Sequence, residues 1–132
     1  MKIIVLDAHP LVGFFEKEEY WEKIADYFQQ ATDEKCTIYM STVNLGEVYY
    51  STLREHGEEH ALRVLDTMKN LPITLVDADK EMSLQAARYK ARGGISYADC
   101  FAAALAKLKK GELVTGDKEF KVVEKDIRIN WV

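Results

Sequence analysis

Apolar positions in this chain alternate between two patterns. Lys2–Leu6 (KIIVL) is apolar at successive positions, so both faces of an extended segment are hydrophobic, which predicts a strand covered on both sides of a sheet. Shorter β-branched runs predict further strands at 37–41, Ile73–Val76, Glu112–Thr115 and Arg128–Trp131. Between them the spacing turns helical. Tyr20, Trp21, Ile24, Tyr27 and Phe28 recur at intervals of three and four, as do Val43, Gly46, Glu47, Tyr50 and Leu53, and then Met82, Ala86 and Tyr89. Gly57 separates a helix ending near His56 from another over roughly 58–69, and Pro72 and Gly111 punctuate the loops before strands. Strand–helix–strand repetition with buried strands predicts a three-layer α/β/α fold around a parallel sheet of four to five strands. Ligands of such sheets sit at the carboxyl ends of the strands, near a reversal of strand order.

Composition narrows the class. At 132 residues, with 48% hydrophobic and 30% charged positions, the chain is expected to be a single globular domain over 1–132. No apolar run approaches the roughly 18 residues a membrane span needs, and the first apolar stretch meets Asp7 too early for a signal-peptide core, so no membrane partner is expected. Cys36 and Cys100 supply neither a disulfide framework nor a zinc motif, which suits a reducing, cytoplasmic setting. The net charge of −4 is unevenly spread: residues 1–79 carry 7 Lys/Arg against 15 Asp/Glu, and residues 80–132 carry 11 against 7. The basic residues of the second half, among them Arg88, Lys90, Arg92, Lys107, Lys109, Lys110, Lys118 and Lys121, are expected either to steer a polyanion or to be solvated helix faces.

Most acids, Glu16 and Glu18 included, lie in charge-rich stretches and read as solvated. Four stand apart. Asp7 follows the first strand and is the only charge between Lys2 and Glu16. Glu47 is the only charge from Cys36 to Leu53. Asp99 lies in ISYADCFAAALA with no other charge from Gly93 to Ala106, on a helix apolar nearly all round and therefore buried. Asp117 lies in VTGDKEF, just past the fourth strand. Each has an ordinary reading: Asp7 and Asp117 as N-caps, Asp99 as the third residue of a capping box begun by Ser96, Glu47 as part of a wet stripe. Together they map to one edge of the expected sheet. Carboxylates about 4 Å apart repel by roughly 1–4 kcal/mol, so such a cluster implies a cation. An all-carboxylate set suits Mg²⁺ or Mn²⁺ rather than zinc, and leaves room for a substrate phosphate.

The segments VLDAHPLV, STVNLGEVYY, ISYADCFAAALA and LVTGDKEF, in that order, resemble a PIN domain, and in size the single-domain VapC-type toxins of type II toxin–antitoxin pairs. The resemblance covers the whole chain. It implies a Mg²⁺- or Mn²⁺-dependent endoribonuclease acting on RNA, usually a homodimer, with a cognate antitoxin protein that inserts a peptide over the site. By position, Asp7, Glu47 and Asp99 match the family's core metal-binding acids, Asp117 the fourth acid, and Thr115 the hydroxyl that orients it. One departure follows the first acid, where members often carry a small hydroxyl or amide and this chain has Ala8 and His9. His9 is expected either to pack or to contact phosphate. Competing readings are a non-catalytic PIN-like module that binds RNA or protein, and an RNA-processing nuclease without an antitoxin. A dehalogenase-type phosphatase would need an Asp where His9 stands, a receiver domain would need a second early acid, and no nucleotide-binding glycine loop is present.

Overall fold

The computed structural model describes all 132 residues. The expected strands form, as β1 (Lys2–Leu6), β2 (Cys36–Ser41), β3 (Ile73–Val76), β4 (Glu112–Thr115) and β5 (Arg128–Trp131). Six helices accompany them: α1 (Ala8–Phe15), α2 (Trp21–Thr32), α3 (Thr42–His56), α4 (Glu58–Met68), α5 (Lys80–Arg92) and α6 (Tyr97–Lys109). A 3₁₀ turn follows at Lys118–Val123. The five strands make one all-parallel sheet in the order β3-β2-β1-β4-β5.

Alternation along the central strands divides the core. Ile4 and Leu6 of β1, with Ile38 and Met40 of β2, pack on one face under α1, α2, α4 and Val48 of α3. Val5 and Leu113 point the other way, into a layer built from α5 and α6. Complete burial of a side chain such as Ile4 or Leu6 stabilises by about 1.5–3 kcal/mol, which is why β1 is apolar at successive positions. The expectation of strands covered on both faces holds for β1, β2 and β4. It fails for β3, which is an edge strand with Thr74 and Leu75 exposed.

Local chemistry places the helix starts. The Ser41 hydroxyl accepts from the Val43 N–H at 3.1 Å and opens α3 directly at the end of β2, and the Ser96 hydroxyl accepts from the Asp99 N–H at 3.2 Å and opens α6. Gly57, at φ +87, takes a backbone conformation that side-chain-bearing residues avoid, and lets the chain turn from α3 into α4. From β1 the chain steps outward through β2 to β3, then crosses back to lay β4 on the other side of β1. Strand order therefore reverses between β1 and β4, and a crevice opens beyond their carboxyl ends.

Candidate functional site

Asp7 stands at this reversal. Its N–H donates to the Val114 carbonyl at 3.3 Å, extending the β1–β4 ladder by one residue. Although it precedes α1, its carboxylate makes no capping bond; Oδ2 instead accepts from the Thr115 hydroxyl at 2.8 Å. Thr115, itself fully buried, in turn accepts from the Asp117 N–H at 3.1 Å, so one hydroxyl aligns two acids on neighbouring strands.

Glu47 is reached from α3. Asn44, one turn earlier and fully buried, donates to Glu47 Oε1 at 2.7 Å and to the Ala98 carbonyl at 3.2 Å, tying α3 to the start of α6. Asp99 lies in the first turn of α6 with 5% of its surface exposed. In a capping box its carboxylate would return to the Ser96 N–H, but that group donates to Glu119 Oε1 at 2.7 Å. Asp99 Oδ2 is left buried with no partner. Asp117 does cap the 3₁₀ turn, accepting from the Glu119 N–H at 2.9 Å, and also borders Asp99.

These placements bring together oxygens remote in sequence. One ligand atom from each of Asp7, Glu47 and Asp99 lies within 4.8 Å of the others, and so does one from each of Asp99, Asp117 and Glu119. Asp99 belongs to both groups. Burial pushes Asp7 up to about 7, opposed by the Thr115 hydrogen bond and reinforced by Glu47. Asp99 is pushed up to about 9, by burial first and then by the hydrogen bond to Asp117 and the charges of Asp7, Asp117 and Glu47. Glu47 is raised as well, again chiefly by burial. Asp99 therefore keeps its proton at neutral pH and Asp7 sits near its midpoint there, until a cation displaces those protons.

The cluster floors a pocket of about 350 Å³. Its residues fit a hard divalent ion: the donors are all carboxylate oxygens, and the unpartnered Asp99 Oδ2 is a buried acceptor that nothing in the chain satisfies. His9 lines the pocket and packs, its ring so close over Gly116 that a Cβ there would fall 2.6 Å from Cε1.

Several participants escape a reading of the sequence. Glu16 and Glu18, expected to be solvated, line the pocket, and so does Arg54. Asn44 left only a faint signal, an amide three residues before the isolated Glu47; Glu119 sits in a charge-rich segment and left none. The basic second half is a correction. Because α6 runs from Asp99 back toward the amino ends of the strands, Lys107, Lys109 and Lys110 lie at the far end of the sheet, beside Arg128 at the start of β5. Lys90 is bonded to the Ile95 carbonyl and Arg92 to Asp126. None of the basic residues of the second half lines the pocket that holds the acids.

A family model described as the PIN domain matches residues 4–126. No curated protein matches the chain in sequence at a significant level. Among solved structures, VapBC2 from Rickettsia felis bound to a DNA fragment from its promoter is similar over 98% of each chain, with a TM-score of 0.78 and 20% identity. VapC20 from Mycobacterium tuberculosis, described as a sarcin–ricin-loop-cleaving toxin, is similar over 83% of this chain and 86% of its own, with a TM-score of 0.66 and 14% identity. VapBC-5 from the same organism, a member of the VapBC family of toxin–antitoxin systems, gives 0.64 and 14% over 100% of this chain and 98% of its own. At these identities the likeness carries the fold.

Proposed function

The chain belongs to the PIN domain family, and from that premise we propose that it is a Mg²⁺- or Mn²⁺-dependent endoribonuclease, the toxin of a toxin–antitoxin pair. The observation that carries the reading is the meeting of Asp7, Glu47, Asp99 and Asp117 at the β1–β4 reversal, with a buried Asp99 oxygen left unpartnered. Such a set is costly without a cation, and the cap that Asp117 makes for the 3₁₀ turn accounts for only one of its members. VapC20, of the same fold and described as cleaving the sarcin–ricin loop, supports an RNA substrate, and the VapBC structures of that fold support an antitoxin partner. A cytoplasmic homodimer completes the proposal, and the two buried, unpaired cysteines suit that compartment.

In this reading Asp7, Glu47 and Asp99 hold one ion, and Asp99, Asp117 and Glu119 offer places for a second. The ion supplies Lewis-acid charge to a phosphodiester and makes water more acidic at neutral pH. Thr115 holds the Asp7 carboxylate and the Asp117 backbone, and Asn44 holds the Glu47 carboxylate, so these groups are aligned before substrate arrives. Asp117, half-buried in the lining of the pocket, is in this reading the acid that accepts a proton from the attacking water.

The test pairs cleavage with metal binding. Wild-type protein is expected to cut a fluorogenic single-stranded RNA only with Mg²⁺ or Mn²⁺, and Asp99→Asn to lose cleavage and the saturable Mn²⁺ heat in calorimetry while keeping its circular dichroism. Undiminished cleavage by Asp99→Asn, or cleavage in EDTA, defeats the assignment.

A further inference from the structure

Carboxylic acids outnumber every other charged group in the pocket that the cluster floors, yet the ligand proposed for it is a polyanion. Asp7, Glu16, Glu18, Glu47, Asp99 and Asp117 all line it, and Arg54 is the one Lys or Arg that does. The lysines of α6 stand at the far end of the sheet, and no lysine lines the pocket.

Arg54 is placed by helical spacing. Glu47, Tyr50, Ser51 and Arg54 fall at intervals of three, four and seven on α3, so they share one face, and all four line the pocket. Two turns of helix separate Arg54 from Glu47, about 10 Å along the axis, a separation within reach of a neighbouring nucleotide in an extended strand. The Arg54 guanidinium lies 5.3 Å from the centroid of the Tyr50 ring. Although surrounded by acids, Arg54 makes no ion pair; the pairs in the molecule are His56–Glu16, Arg63–Glu59 and Arg92–Asp126. Its donors are therefore free, and the stacking on Tyr50 restrains the fork without using them.

Tyr50 is unusual in its turn. It is 51% exposed on a pocket wall, whereas Tyr27 and Phe28, which share its kind of helical spacing, are buried in the core. An exposed ring beside an unpaired guanidinium is the combination by which proteins hold a base and its phosphate without reading a duplex.

We propose that Tyr50 and Arg54 form a nucleotide clamp on α3, with Arg54 binding the phosphate next to the scissile one and Tyr50 stacking on an unpaired base. The inference rests on the nuclease reading for the identity of the scissile phosphate, while the clamp itself is a statement about RNA binding. Base stacking on Tyr50 requires a base out of its helix, so the substrate is a single-stranded segment or loop. Glu16 and Glu18 also line the pocket and repel phosphates from their part of it. Arg54 and Tyr50 are positioning residues: neither touches the acid cluster.

The experiment uses the full chain with a fluorescein-labelled, unstructured RNA dodecamer and a blunt duplex of the same strand. In Mn²⁺, Arg54→Ala and Tyr50→Leu are each expected to raise KM about tenfold or more with kcat changed by less than about threefold, and Tyr50→Phe to restore the wild-type value. In the Asp99→Asn background with Mg²⁺, anisotropy is expected to show the same rise in Kd. The dependence of log Kd on log salt should flatten by about 0.7 for Arg54→Ala, the contribution of one phosphate contact on a single strand. The duplex is expected to bind more weakly and to be indifferent to Tyr50→Leu.

Unchanged KM, Kd and salt slope in Arg54→Ala overturn the clamp even if wild-type protein cleaves, which leaves the nuclease reading standing. If wild-type protein does not cleave but Arg54→Ala and Tyr50→Leu weaken binding of the dodecamer, the nuclease reading falls and the clamp survives. Equal affinity for duplex and single strand, or tighter binding of a basic hexapeptide by Arg54→Ala with RNA binding unchanged, overturns the clamp in favour of a shape-reading or peptide-binding surface.

Discussion

Asp7→Asn tests the electrostatics of the cluster more sharply than activity does, because it removes charge while keeping shape and the acceptor for the Thr115 hydroxyl. In the folded chain Asp7 holds its proton up to about 7, against an ordinary value of 3.8. Between those values the native state binds more protons than the unfolded state, so its stability falls as pH rises through the window and levels off above it. Asn has no proton to release, and the variant escapes that fall. At about 1.4 kcal/mol per pH unit the ceiling on the difference is about 4 kcal/mol, and water reaching an open pocket lowers it to about 2–3. For a chain of this length that corresponds to a rise in Tm of roughly 7–11 °C. Melting in EDTA is therefore expected to show Asp7→Asn equal to wild type near pH 3.5 and well above it at pH 7.5. In Mg²⁺ only the wild-type site is stabilised by the ion, so the gap should close at a hundred times Kd, where the gain is about 2.7 kcal/mol, and the order should reverse at a thousand times Kd, where it is about 4.1 kcal/mol. A variant less stable than wild type at pH 7.5 in EDTA, or a gain that persists unchanged at pH 3.5, would show that the carboxylate is structural and refute the argument.

Other perturbations separate the supporting residues. Thr115→Val removes the donor to Asp7 and the acceptor for the Asp117 N–H, and is expected to cost about 1–2 kcal/mol in chemical denaturation and to weaken Mn²⁺ binding 10- to 100-fold, with Thr115→Ser restoring both. Asn44→Leu frees Glu47 from its 2.7 Å partner, and calorimetry should show weaker Mn²⁺ binding while the RNA Kd, measured by anisotropy in the Asp99→Asn background, stays near its reference value. Mn²⁺ affinity in the wild type should climb from pH 6 to pH 9, because Asp7 and Asp99 must give up protons held up to about 7 and about 9, and calorimetry in buffers of differing ionisation enthalpy should detect the protons released. Gly116→Ala places a Cβ 2.6 Å from His9 Cε1 and is expected to displace the ring, costing about 1–3 kcal/mol in thermal stability.

Read from its residues alone, the chain already specifies its elements. KIIVL has to be a covered strand, Ser96 has to start a helix, and Gly57 has to end one, because backbone sterics, capping and alternation are local and act over a few residues. The isolation of Asp7, Glu47 and Asp99 in uncharged segments was legible for the same reason: a charge with no local company is conspicuous in one dimension. Only the tertiary structure decided the order β3-β2-β1-β4-β5, and with it which acids share oxygens within 4.8 Å. It also decided that Glu119 rather than Asp99 caps the Ser96 N–H, that Asn44 aligns Glu47, and that the α6 lysines end at the wrong edge of the sheet to help. Strand order depends on which crossovers pack, and a helix carries its charges to whichever end its direction dictates. Neither is encoded in the neighbours of any one residue.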